Sequence, residues 1–107
     1  GVVIMISWSN KLFLSEKFKT RDLSKIKSNI NEGKLTRNVY CITFASNPKN
    51  LFDIYNAKEF IQPFYKKQDL HILGLAENKN KAYELVKDML EEVYERTGDF
   101  KVREYFS

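Results

Sequence analysis

Residues 70–98 read LHILGLAENKNKAYELVKDMLEEVYERTG, and this stretch decides the class of fold. The apolar run 70–76 is typical of a buried strand. Between residues 81 and 97 apolar side chains recur three and four positions apart, which predicts an amphipathic helix that Gly98 ends. The side chains expected to face the core are Ala82, Leu85, Val86, Met89, Leu90 and Val93.

Upstream, the same kinds of pattern predict two more strands and one more helix. The uncharged, β-branched and aromatic segment 39–45 predicts a second buried strand. Segment 51–55 is expected to pair back against it across a turn. A helix is expected to begin near Thr20 or Asp22, either of which can cap it, and to end at Gly33.

The remaining segments carry weaker patterns. A first strand is expected within 11–15, and 1–10 is expected to be another strand, a frayed terminus or residues foreign to the natural chain. Segment 56–59 has the form of a capping box, and Pro63 should shorten or break the helix that follows. The alternation within 99–107 predicts a last edge strand.

This order of elements predicts one α+β domain over residues 1–107. We expect a small mixed, mostly antiparallel sheet with the two main helices on one face. A ferredoxin-like topology fits the order best.

Composition narrows the class of protein. The chain has 43% hydrophobic residues, which indicates a folded domain. Its single cysteine, Cys41, excludes an internal disulfide, and no apolar run approaches the about 20 residues that a membrane helix needs. We therefore expect a cytoplasmic protein without a membrane partner.

Catalytic and metal signatures are not found in the sequence. Cys41 and His71 lie in two predicted strands that could be neighbours, but a nucleophile pair also needs an orienting group and an oxyanion hole. One cysteine and one histidine cannot complete a structural zinc site. We therefore predict no enzyme activity, no cofactor and no metal.

A small anion or a phospho-ligand is the third functional hypothesis. The strand-to-helix turn 74–81 places amide and ammonium side chains at a helix N-terminus, where the helix dipole favours negative charge. The candidate residues are Asn78, Lys79, Asn80 and Lys81. The turn does not match a P-loop, and a capped surface turn explains the same residues.

A nucleic-acid backbone is the second hypothesis. Segment 17–37 carries most of the excess positive charge, and Phe13 and Phe18 nearby could stack on bases. Acidic residues interrupt this segment, and exposed helix faces ordinarily carry lysine and arginine.

Association with another protein chain is the leading hypothesis. Five aromatic residues fall in an irregular segment that should run over the surface. Rings left exposed there would favour a protein partner or a homodimer, as would an open sheet edge. The candidate residues are Phe52, Tyr55, Phe60, Phe64 and Tyr65. We therefore expect a non-enzymatic protein-binding or self-assembling module.

Overall fold

Four strands form one mixed sheet in the structure, a computed structural model that describes residues 5–61 and 69–106. The strands are β1 (Met5–Leu14), β2 (Tyr40–Phe44), β3 (Phe52–Asn56) and β4 (Asp69–Ala76). Their order across the sheet is β1-β4-β2-β3. β1 runs parallel to β4, while β2 runs antiparallel to both β4 and β3. The prediction of a mixed, mostly antiparallel sheet is therefore confirmed.

Four α-helices and one 3₁₀ helix accompany the sheet in the described residues. They are α1 (Glu16–Lys19), α2 (Ser24–Asn31), the 3₁₀ helix Ala57–Ile61, α3 (Lys79–Thr97) and α4 (Val102–Phe106). The predicted capping box is confirmed: the Glu59 carboxylate accepts the N–H of Asn56 at 2.8 Å, and the Asn56 side chain accepts that of Lys58 at 3.1 Å. The continuation of that helix through Pro63 lies outside the described residues.

The ferredoxin-like topology is not confirmed, because the strand order is β1-β4-β2-β3 with β1 parallel to β4. The structure also shows a helix where the last strand was predicted. The prediction of a strand within 99–107 is wrong, since Val102–Phe106 forms α4. Thr97 and Asp99 favour this outcome: the Asp99 carboxylate accepts the N–H of Lys101 at 3.0 Å and a hydrogen bond from Thr97 at 2.9 Å. Val102 and Phe106 are four residues apart, so in a helix both side chains lie on the same side and pack toward the protein interior.

The two main helices lie on opposite faces of the sheet, so the prediction of a single helical face is wrong. Ile30 of α2 shares one hydrophobic core with Cys41 of β2. Met89 of α3 shares a second core with Ile42, the next residue on that strand. Neighbouring residues on a strand point to opposite faces, and both Cys41 and Ile42 are fully buried. A strand that is apolar on both faces needs a helical layer on each side.

Strand β1 (Met5–Leu14) includes most of the strand predicted within 11–15 and also residues 5–10 of the segment whose structure the sequence left open. Five positions separate Trp8 from Phe13, whereas two separate their partners Ile72 and Gly74 on β4. The extra residues, which include Ser9 and Asn10, form a bulge in β1. Residues 1–4 lie outside the described part of the chain.

Gly74 allows β1, β2 and α3 to approach one another closely. A methyl group at this position would lie 3.2 Å from the carbonyl oxygen of Phe13 and 3.3 Å from the side chains of Ile42 and Leu85. All three distances are shorter than ordinary van der Waals contacts.

We expect Gly74→Ala to lower the free energy of unfolding by about 1–3 kcal/mol, because it overpacks a tight cluster. Urea denaturation of both proteins measures this change. Alanine also restricts the unfolded chain, which by itself stabilises a protein by about 0.4–1 kcal/mol. A more stable variant would therefore show that the cluster relaxes at no cost.

Candidate functional site

The described rings of the predicted interaction segment pack against the sheet. Phe60 is 6% exposed and lies 5.9 Å from the half-buried Tyr55 on the side of α2. Phe52 lies on the other side, 6.1 Å from Phe106. These three rings fill two separate cores, so they do not form one surface patch. The other two candidates, Phe64 and Tyr65, lie outside the described residues.

A different apolar surface lies on the outer face of α3. Tyr83 and Tyr94 are 55% and 54% exposed, and Phe100, just beyond the helix, is 48% exposed. The Tyr94 and Phe100 rings stack with their centroids 5.1 Å apart. With the half-buried Val86 and Leu90 they line a shallow groove of about 490 Å³. We call these five residues the outer patch.

Two apolar stripes on α3 explain the outer patch. The first stripe faces the sheet and consists of Ala82, Leu85, Met89 and Val93, all buried. The second runs beside it and consists of Tyr83, Val86, Leu90 and Tyr94. The prediction placed Val86 and Leu90 in the core, whereas both are half-buried, and of the two Val86 packs against the core. The prediction did not include the tyrosines. The spacing of three, four and four residues was the signal that could have found this stripe.

Gly98 places Phe100 beside the helix. Its φ of 76° is in the left-handed region, which ends α3 and turns the chain back. The charged residues Lys87, Glu91 and Glu95 form the rim of the groove. Within one chain the Lys87 ammonium and the Glu91 carboxylate lie 3.9 Å apart, which is a loose ion pair.

The predicted anion turn is a capped helix start. The Asn78 side chain accepts the N–H of Lys81 at 2.8 Å. The Lys81 ammonium lies 3.1 Å from the Glu84 carboxylate, and its hydrogen bond to Glu84 raises the pKa of Lys81. In this turn, one N–H group at the start of the helix and one lysine charge therefore already have partners within the chain. No contact in the described residues assigns Lys79 or Asn80 to a ligand.

Cys41 and His71 are not brought together. Cys41 pairs with Leu75 across the sheet and is fully buried, and this burial raises the pKa of its thiol to about 12. His71 lies further along β4, where its ring stacks on Phe44 with centroids 6.0 Å apart. Its Nδ1 lies 2.8 Å from the Ser7 hydroxyl. No other side chain of the described residues bonds to the imidazole, so the Ser7–His71 contact lacks an orienting carboxylate.

The predicted nucleic-acid segment offers no stacking platform in the described residues. Phe18 is buried, and Phe13 packs edge-on against Phe106 at 5.6 Å. Two of the lysines of segment 17–37 are engaged in ion pairs: Lys19 with Glu16 at 2.6 Å and Lys34 with Glu32 at 3.3 Å. Base stacking, which carries much of single-strand affinity, would need rings at the surface.

Comparison with known proteins yields no relative. No protein-family model, curated protein or solved structure matches the chain. In ranges 5–61 and 69–106, no helix is long and apolar enough to cross a membrane, and no cluster of acidic, histidine or cysteine side chains could hold a metal ion. The proposed function therefore rests on the structure of this chain alone.

Proposed function

We propose that this chain is a non-enzymatic self-assembling module that pairs with a second copy of itself through the outer patch. The observation that carries the proposal is the row of half-exposed rings along α3. Exposed aromatic side chains that share one groove are typical of association surfaces, because their burial removes a large apolar area from water. The buried free thiol of Cys41 suits a reducing compartment, so we propose a cytoplasmic location.

The four residues of the outer patch that lie on α3 are arranged symmetrically about the middle of the helix, which favours a second copy over an unrelated partner. Tyr83 and Tyr94 stand at the two ends of the stripe, about 16 Å apart along the helix axis. Between them, Val86 and Leu90 lie on either side of the midpoint. Two antiparallel copies of α3 crossing at that midpoint would place Tyr83 of one against Tyr94 of the other. A two-fold contact needs a surface of this self-complementary kind.

The charged rim fits the same crossing. The midpoint that pairs Tyr83 with Tyr94 also places Lys87 of one copy near Glu91 of the other, twice per dimer. Each exposed pair contributes about 0–1 kcal/mol at most. The rings would therefore supply the affinity, while the charges would favour the antiparallel orientation.

The size of the outer patch determines how tightly two copies of the chain are expected to bind. A contact built on one helix face lies at the small end of specific interfaces, which bury about 1,200–2,000 Å² in total. We therefore expect a dissociation constant in the micromolar range.

Sedimentation equilibrium from 1 to 500 µM tests the proposal. We expect a dimer that Tyr94→Glu weakens at least tenfold, because the variant places a charge in the apolar groove. Glu104→Gln, an exposed change on α4, should leave association unchanged. A single species of 12.7 kDa up to 500 µM would refute self-association.

A charge exchange tests the crossing itself. Lys87→Glu and Glu91→Lys should each weaken the dimer, and the double variant should restore it. The double variant also preserves the pair within one chain, so helix stability stays matched. If Phe64→Ala with Tyr65→Ala abolished the dimer while Tyr94→Glu did not, association would belong to the predicted aromatic segment instead.

A further inference from the structure

A second site lies at the carboxyl ends of the two parallel strands. β1 ends at Leu14 and β4 at Ala76, side by side at one edge of the sheet. The chain after β1 enters α1 on the face that α2 covers, whereas the chain after β4 enters α3 on the opposite face. Parallel strands whose following helices depart to opposite faces leave a crevice between them, and ligands commonly bind there in open α/β sheets.

The structure has a cavity of about 370 Å³ at this place, which we call the strand-end cavity. Leu14 and Leu85 form part of its wall, and Ser15 and Glu77, the first residues after each strand, also line it. A water molecule occupies about 30 Å³ of liquid, so the cavity has room for a small organic ligand.

Two residues that line this cavity each have a buried polar atom with no hydrogen-bond partner in the described residues. These atoms are the hydroxyl oxygen of Ser15 and Oε1 of Glu77. Ser15 is only 7% exposed, and although it stands at the N-cap of α1 its side chain makes no cap hydrogen bond. Folded proteins rarely leave buried polar groups unsatisfied, and such groups often have a functional role.

The charged residues around the cavity indicate which kind of ligand could bond to these two atoms. Of its lysines, Lys19 bonds to Glu16 at 2.6 Å and Lys81 to Glu84 at 3.1 Å. The third, Lys87, faces Glu91 at 3.9 Å, outside the cavity. The two remaining carboxylates, Glu77 and Asp88, form no salt bridge in the described residues, although the Glu77 charge adds to the effect of Glu84 in raising the pKa of Lys81. The wall therefore carries an excess of negative charge once its internal pairs are formed.

We propose that the strand-end cavity binds a small organic cation through a primary ammonium group. An ammonium offers three donors and no acceptor. An ionised carboxylate only accepts, and a serine hydroxyl can accept, so one ammonium can satisfy Glu77 and Ser15 together. The aliphatic part of the ligand would lie against Leu14 and Leu85. An anion would meet the unpaired carboxylates, which disfavours the phosphate that the sequence of the 74–81 turn suggested.

Titration of the ¹⁵N-labelled full chain with ethylammonium and with 1,4-diaminobutane tests this site. We expect saturable shifts of the Ser15 and Glu77 amide signals. Ethanol, which is neutral, and acetate, which is negatively charged, both match ethylammonium in size. Each should bind at least tenfold more weakly than ethylammonium to the unaltered protein. This comparison needs no variant and therefore does not depend on folding.

Variants then locate the ammonium group. Glu77→Gln keeps the shape of the side chain and should weaken binding at least tenfold, and Ser15→Ala should weaken it several-fold. Glu95→Gln removes the same charge near the far end of α3, outside the cavity, and should have no effect. Equal binding by potassium ions, shifts produced only by phosphate, or an unchanged affinity in Glu77→Gln would overturn the proposal. The cavity shares Lys87 with the rim of the outer patch, so the titrations are made at a concentration at which the chain is monomeric.

Discussion

Replacing Leu85 by alanine is expected to lower the free energy of unfolding by about 2–5 kcal/mol. Leu85 lies in the core between α3 and the sheet, together with Met89, Ile42 and Leu73. The prediction that Leu85, Met89 and Val93 are buried is confirmed. The shortened side chain would leave a cavity that Gly74 cannot fill, because that residue has no side chain. Urea denaturation at a concentration where the chain is monomeric measures the loss.

Leu90→Ala is the matched control, since it removes the same atoms from the same helix. Leu90 is half-buried on the outer face of α3 and is not part of the core. We expect less than half the loss seen for Leu85→Ala. Equal losses at the two positions would mean that the outer patch is packed as tightly as the core, which would contradict its role as an association surface.

Labelling of Cys41 by a thiol reagent is expected to be at least about a thousandfold slower in the folded protein than in the unfolded chain at pH 8. Burial raises the pKa of this thiol to about 12, and only the thiolate reacts. Each unit of pKa removes about nine-tenths of the thiolate at a fixed pH. Full burial also denies access to the reagent, so labelling should require opening of the fold. Absorbance of the released reagent anion measures both rates.

The same shift predicts how stability depends on alkaline pH. The folded state holds the Cys41 proton more tightly than the unfolded chain, so this contribution to stability is complete below the ordinary thiol pKa of about 8.5. It is then lost as pH rises toward about 12. Cys41→Ala should flatten this part of the stability profile. Labelling within seconds in the folded protein would instead return Cys41 to consideration as a nucleophile.

The sequence predicts those elements whose patterns depend on their own residues. The core stripe of α3, the apolar segments of β2 and β4 and the Asn56–Glu59 cap all follow from local periodicity and capping. The placement of helices on two faces does not follow, because it depends on where the chain travels after each strand. An apolar run such as 39–45 indicates a strand that is buried on both faces, but it does not identify the element that covers each face.

The candidate sites are harder to predict for a physical reason. Ring content alone does not distinguish core from surface: Phe60 is buried, whereas Tyr94 is half exposed. Tyr94 could have been recognised only as part of a second stripe along α3. Ser15 and Glu77 carry no sequence signal, because their significance comes from the juxtaposition of two strand ends that are 62 residues apart in the chain.

The irregular edges of the sheet have a consequence for the kind of assembly that this chain can form. On β1 the bulge between Trp8 and Phe13 interrupts the row of outward N–H and C=O groups. On β3 only five residues are exposed as an edge, and Asp53 places a carboxylate there that accepts the Ser46 N–H at 2.9 Å. Both features make an edge a poor template for a further strand. Growth by strand addition has no natural end, whereas a two-fold helix contact consumes its own surface after one step. The edges of the sheet therefore disfavour an open-ended fibre, and the proposed pair would be self-limiting.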